Sequence, residues 1–444
     1  MWAFLHKFKV SSAQIILVGF ALVILLGGLL LTLPISSRTG TWTPFLNALF
    51  TSTSAVCVTG LVVYDTATHW SIFGQCVILT LIQIGGMGVI TVAASIAMLS
   101  GKRITLMQRS TMQDAISAPQ VGGIVRFTTF ILRGIFFVEL TGAVLMAPVF
   151  IRDYGPFRGA WMGVFHSISA FCNAGFDLLG ENAPFSSLSA YAANPVINLV
   201  IGHLIIIGGL GFMTWEDICR NGRHIQRYHM QSKVILVSTA LLITLPALYF
   251  FFFEFNDLPM PVRFWGSWFQ SVTPRTAGFN TIDLNHMSET GQGLMSLMMV
   301  IGGAPGSTAG GMKVTTLAVM IACAAAIFQK RSSGHFFGRR IADDTVKHAA
   351  AIFLMYLGTF LAGGMLISRI EGLPLVDCLF ESASAVGTVG LTLGHTPNFC
   401  TATKCILILQ MFFGRVGALT LIFATIPARK NRVFKLPLEK IAVG

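Results

Sequence analysis

Four glycines end near-identical segments of this 444-residue chain. The segments Phe50 to Gly60, Phe165 to Gly175, Phe269 to Gly278 and Phe380 to Gly390 share Phe-x-Ser-x-Ser/Thr, a short gap and Gly, the third being one residue shorter. The glycines lie 115, 103 and 112 residues apart. A fourfold match at such even spacing marks an internal repeat. The chemistry such a residue offers is that of its backbone. Glycine adopts unusual backbone angles and puts no side chain in the way. A short helix ending in small residues leaves carbonyls free, and four such ends around an axis form a ring of oxygens. A ring of this kind replaces the hydration shell of a monovalent cation, and the partial negative charge of helix C-termini favours a cation too. The candidate filter is therefore Val58, Thr59 and Gly60; Asn173, Ala174 and Gly175; Thr276, Ala277 and Gly278; and Thr388, Val389 and Gly390. Taken singly, each glycine reads as a packing or turn residue; four in register favour the ring.

A second constellation follows. Gly302 to Met312 holds five glycines and Pro305, and glycine disfavours a helix interior by about 1 kcal/mol and proline by about 3. The stretch Gly303, Ala304, Pro305, Gly306, Ser307, Thr308, Ala309, Gly310 and Gly311, with Lys313, is expected to break a span. It is not a phosphate-binding loop, because Lys313 does not directly follow the required glycine and no strand precedes it. A small-residue helix-packing face is the alternative. Arg415 lies in an otherwise uncharged run from Cys405 to Ala428. An arginine at membrane depth faces a bundle interior or water cavity. Under the ring it would repel a cation unless paired or contacted by the loop carbonyls, so it is read with the loop as a barrier, against a structural ion pair at a subunit contact. Lys313 is left between the mouth of the pore and the membrane interface.

These residues need a membrane scaffold. Hydrophobic residues make up 54% of the chain and charged ones 11%, against about 25% charged in soluble domains. That excludes a soluble domain, a disordered chain and a nucleic-acid partner, so the net charge of +12 is a topology signal. Eight apolar runs are long enough to span: Val10–Ser37, Thr66–Gly101, Gly134–Ile151, Asn182–Trp215, Val234–Phe253, Thr290–Met312, His348–Ser368 and Cys405–Ala428. Twenty of the 30 Lys and Arg fall at the termini and in the 100–126, 220–233 and 330–347 loops. This puts both termini and those loops in the cytoplasm and the protein in the plasma (inner) membrane. The motif Gly85-Gly86-Met87-Gly88 recurs at Gly208 to Gly211, begins again at Gly302-Gly303, and returns as Gly414-Arg415-Val416-Gly417. The expected fold is an all-α polytopic membrane protein. Four parallel span–re-entrant pore helix–span repeats (residues 1–110, 111–228, 229–342 with the broken second span, and 343–444) surround one pseudo-fourfold pore.

The pattern resembles the Trk/Ktr/HKT potassium transporter superfamily over nearly the whole chain, and with eight spans it is closest to the Ktr pore subunit, KtrB. Thr388-Val389-Gly390 is similar to the Thr-Val-Gly of potassium-channel filters. The resemblance implies potassium as substrate, held by filter carbonyls, since all four filter positions are glycine. It implies the 303–311 loop with Arg415 as gate, and leaves sodium open as a co-ion. It also implies a homodimer on a cytoplasmic ring of nucleotide-binding, KtrA-like subunits, with loops 220–233 and 330–347 as contacts for that ring or for anionic lipid. No cofactor is expected in the chain.

Other features carry less. Arg275 is expected in an external vestibule, and Arg133 and Glu139 either pair or sit near span ends. Eleven external acids against seven bases would concentrate cations. A Cys400–Cys405 bridge is disfavoured. The rival readings are an ion-coupled secondary transporter with alternating access and an intramembrane enzyme, for which the sequence offers no catalytic constellation.

Overall fold

In the computed structural model, residues 11–99, 105–116, 122–181, 183–425 and 439 are described. The chain termini, with Lys7, Lys9, Arg429, Lys430, Arg432, Lys435 and Lys440, lie outside the described residues, as do Lys102 and Arg103.

Four units follow one another, each with a peripheral helix, a short pore helix and an inner helix. The peripheral helices are Ser12–Thr32, Ile124–Tyr154, Met230–Tyr249 (continued by a π turn to Glu254) and Asp343–Glu371. All four are long and apolar enough to cross a membrane. The pore helices are Phe45–Val56, Pro156–Phe171, Met260–Val272 and Leu375–Gly387. Each starts at a proline: Pro44, Pro259 and Pro374 precede the first turn and Pro156 opens it. Proline's fixed φ suits a helix start, where its missing N–H goes unnoticed.

The inner helices depart from the expected continuous spans. The first divides into Ile72–Met87 and Val89–Leu99, and the second into Pro195–Gly209 and Phe212–Asn221, with bends of 98° and 99°. The fourth divides into Thr401–Val416 and Ala418–Thr425. Gly88, Gly211 and Gly417 make these breaks with φ of 85°, 85° and 89° and ψ of 131°, 140° and 141°, a region that side chains exclude. Only the third break, between Glu289–Val300 and Val314–Phe328, was expected, and it is the longest.

Glycine also sets how closely the helices approach. A Cβ on Gly85, Gly208 or Gly414 would lie 2.0, 2.1 or 2.2 Å from the carbonyl oxygen of Val56, Phe171 or Val386, at the end of the pore helix in the same unit. On the peripheral side, Gly27, Gly142 and Gly363 admit the first motif serines. Ser52, Ser167 and Ser382 then donate to the Ile24, Glu139 and Phe360 carbonyls at 2.7, 2.6 and 2.8 Å. The third peripheral helix has no glycine between Met230 and Tyr249, and there Ser271 donates to Trp268 of its own helix.

Gly85→Ala should therefore lower the melting temperature of the detergent-solubilised protein by several degrees, because overpacking costs about 1–3 kcal/mol. Gly293→Ala, inside the helix Glu289–Val300 and with an added methyl that meets nothing within 4 Å, should not lower it and should raise it slightly, because glycine disfavours a helix interior by about 1 kcal/mol.

Candidate functional site

Each pore helix ends in the same backbone turn. Val58, Asn173, Thr276 and Thr388 take left-handed φ of 51°, 58°, 71° and 52°. Two residues on, Gly60, Gly175, Gly278 and Gly390 take φ of 93°, 68°, 77° and 97°. The strain of left-handed non-glycine residues is a mark of functional segments. The pore-helix backbone holds the residue between them: Thr59, Ala174 and Val389 donate to the carbonyls of Ser54, Ser169 and Ser384, each at 2.8 Å.

The four ends close into a ring. A Cβ on Gly60 would fall 2.6 Å from the Ala174 oxygen, on Gly175 2.6 Å from that of Ala277, on Gly278 2.3 Å from that of Val389, and on Gly390 2.2 Å from that of Thr59. The order is therefore first, second, third, fourth and back to first. Four carbonyls from the residues before the glycines stand around one axis, and among the described residues no donor is bonded to any of them. Asn173 ties two neighbours together, donating at 3.2 Å to both the Arg275 carbonyl and the Thr276 hydroxyl.

On one side of the ring a pocket of ≈ 90 Å³ is lined by all four glycines together with Asp65 and Asp177. Asp65 accepts from the Ala67, Thr68 and Phe185 N–H groups and so shapes the rim. Burial pushes the Asp177 carboxyl up to about 7, against the Leu179 N–H, with the Asp65 charge adding to the rise. Of the other acids expected at this mouth, Glu181 holds Arg38 and Arg158 at 2.8 and 2.5 Å, and Glu254 accepts from Ser288.

On the opposite side the Gly-rich segment fills the axis. A Cβ on Gly310 would lie 2.1 Å from Thr388 Oγ1, and one on Gly311 2.8 Å from the Gly387 oxygen. The second and fourth inner-helix breaks supply this segment with acceptors. Ala304 and Thr308 N–H donate to the Gly209 and Gly208 carbonyls at 2.9 and 3.2 Å, and Gly311 N–H to that of Gly414 at 3.1 Å. Thr308 Oγ1 donates to Phe171 at 3.0 Å, and Ser307 to Ala304 at 2.7 Å. Phe212 N–H closes back on the Gly306 carbonyl at 2.8 Å. Pro305, Gly306 and Ser307 are half-buried and the rest of the 303–311 segment is buried. Lys313 folds onto it, with Nζ 2.7 Å from the Ala309 oxygen and 3.3 Å from that of Gly310, rather than facing the interface.

Arg415 reaches under the ring. One terminal nitrogen donates to the Thr308 carbonyl; the other donates to Gly85 and, at 3.1 Å, to Gly86. Its acceptors are thus the loop and the carbonyls freed by the Gly88 break. Among the described residues of this chain it has no carboxylate partner.

Several expectations need correction. Arg275 is not in a vestibule: it is buried, and its guanidinium donates to Thr239 of the third peripheral helix at 3.1 Å. Glu139 does not pair with Arg133, which is exposed; it is buried and accepts from Gln83 at 3.1 Å. By contrast, Cys400 and Cys405 are free thiols, in agreement with the disfavoured bridge.

One set of residues escaped sequence reasoning: the x of Phe-x-Ser. His166 accepts the Leu178 N–H at 3.3 Å, Gln270 donates to Asn280 at 2.6 Å, and buried Glu381 accepts from Leu393 N–H and from the Thr392 and Thr396 hydroxyls. Each braces the chain just past its glycine. In the first unit Thr51 bonds its own helix, and Asn47 donates to Tyr64 instead, at 2.8 Å. The signal was present as three polar residues at one motif position.

A family model for TrkH, a cation transport protein, matches residues 6–433. The chain is 40% identical over 448 residues to the potassium/sodium uptake protein NtpJ of Enterococcus hirae, covering 98% of each chain. It is 38% identical over 437 residues to the Ktr system potassium uptake protein B of Bacillus subtilis, covering 96% of this chain and 95% of that one. Its fold is similar to the crystal structure of the potassium transporter TrkH from Vibrio parahaemolyticus, with a TM-score of 0.72 over 95% of this chain and 86% of the other, at 20% identity.

Glu381→Ala should speed amide hydrogen exchange across residues 391–398 at least tenfold, since hydrogen bonds to a charged group are worth about 1.5–3 kcal/mol. Exchange indistinguishable from wild type would remove Glu381 as the brace.

Proposed function

The chain belongs to the TrkH family of cation transport proteins, and from that premise we propose that it is the potassium-translocating pore subunit of a Ktr-like uptake system. The closed ring of glycines and carbonyls carries this reading. Val58 to Gly60, Asn173 to Gly175, Thr276 to Gly278 and Thr388 to Gly390 act as the filter, where potassium exchanges water for carbonyl oxygens. The 303–311 segment, Lys313 and Arg415 act as the gate. Asp65 and Asp177 draw cations to the mouth, and the attraction of Asp177 weakens as pH falls below about 7 and its carboxyl takes up a proton. The ring favours a pore over an alternating-access carrier, because one parallel set of four segments surrounds one axis.

The relatives, a potassium/sodium uptake protein and a Ktr potassium uptake protein, support potassium, and the first supports sodium as a co-ion. We place the protein in the plasma membrane with both termini cytoplasmic, as a homodimer of four-unit chains divided near residues 110, 228 and 342. Its regulatory partner is a cytoplasmic ring of nucleotide-binding subunits.

The test is uptake in potassium-starved cells lacking their own uptake systems, with and without such a ring partner. Wild type should take up potassium in preference to sodium, and Gly60→Ser should reduce that preference by about tenfold, the scale of one misplaced polar contact. An unchanged preference in the variant would sink the filter assignment. In the same cells Arg415→Ala, which removes the contacts to Thr308, Gly85 and Gly86, should raise potassium flux several-fold while keeping the preference. Equal or lower flux from a correctly inserted variant would remove Arg415 from the barrier.

A further inference from the structure

The last hydroxyl of each motif, on Ser54, Ser169, Thr273 and Ser384, lies buried behind the ring. A hydroxyl has one proton to donate and lone pairs to accept with, and the four units use it in two ways. In the first and fourth, the hydroxyl accepts from the filter glycine: Gly60 N–H to Ser54 Oγ and Gly390 N–H to Ser384 Oγ, each at 3.0 Å. In the second and third, it donates to the carbonyl just past the glycine: Ser169 Oγ to Phe176 at 2.7 Å and Thr273 Oγ1 to Phe279 at 2.6 Å. The backbone follows the same division, with glycine φ of 93° and 97° in the first pair and 68° and 77° in the second.

The planar trans peptide turns this into a difference in what faces the axis. The Gly60 N–H shares its peptide plane with the Thr59 carbonyl, and the Gly390 N–H shares its plane with that of Val389. Pinning the N–H back to the pore helix aims the carbonyl the other way, into the ring. In the second and third units the hydroxyl instead draws the Phe176 and Phe279 carbonyls back from the mouth. Among the described residues no donor is bonded to their counterparts at Leu61 and Leu391. The ring order places the first unit beside the fourth and the second beside the third, so each class occupies one side of the pore.

We infer that Ser54 and Ser384 are positioning residues for the selecting carbonyls, whereas Ser169 and Thr273 shape only the outer mouth, leaving it a carbonyl half-ring on the Leu61 and Leu391 side. The inference rests on the filter reading above.

The four alanine variants test it in the uptake assay, run beside Gly60→Ser. Ser54→Ala and Ser384→Ala should each reduce the potassium-to-sodium preference by about tenfold, since a buried N–H loses its acceptor. Ser54→Thr and Ser384→Thr should restore it. Ser169→Ala and Thr273→Ala should keep the preference within about twofold and shift the potassium KM instead, the signature of altered binding at the mouth. Where an alanine variant fails to insert, the cysteine variant, similar in shape and weak in hydrogen bonding, replaces it with the same expected result. If Gly60→Ser alters the preference but the four hydroxyl variants behave alike, the division falls and the filter stands. If Gly60→Ser alters nothing, the filter reading itself falls and takes this one with it.

Discussion

A backbone carbonyl released inside a membrane has no water to turn to and must find a donor or a cation. The inner helices release such carbonyls at three glycine breaks, at Gly88, Gly211 and Gly417. The protein supplies the donors from the 303–311 backbone and the Arg415 guanidinium. Arginine suits the task because its fork of N–H groups reaches several carbonyls from one planar head. The carbonyls of Thr59, Ala174, Ala277 and Val389 are the complementary case, grouped around one axis without a protein donor among the described residues. Plug and ring are thus two answers to one requirement, the first closed by the protein and the second left for an ion.

The third unit is the one that departs from the pattern. It lacks glycine in its peripheral helix, its first motif serine bonds its own helix, its repeated segment is one residue shorter, and its inner helix is opened by the longest break. Arg275 stands where the first two units have cysteine and the fourth has glycine, and it anchors that pore-helix end to Thr239.

Much of this was legible in the residues. The repeated Phe-x-Ser-x-Ser/Thr and Gly marked the four segments that close the ring, because a backbone angle only glycine tolerates leaves glycine in the sequence. The 302–312 break was legible because five glycines and a proline crowd eleven residues. The breaks at Gly88, Gly211 and Gly417 were not, since glycines clustered in an apolar run read equally as packing, and Gly85, Gly208 and Gly414 beside them do serve packing. The bracing role of His166, Gln270 and Glu381 was hidden for another reason. Three different side chains perform it on three different partners, so the position repeats while the chemistry does not. Arg275 was misplaced because adjacency to a filter in sequence says nothing about which side of the backbone its side chain leaves from.

The four ring segments belong to one chain rather than to four copies. A pore built from identical subunits repeats every substitution four times around its axis. Here a codon change alters one quadrant. That is how a single guanidinium can sit under the ring, where four related by symmetry would repel one another. It also means that the ring can drift one quarter at a time, so that selectivity can be graded through intermediate forms that remain working pores.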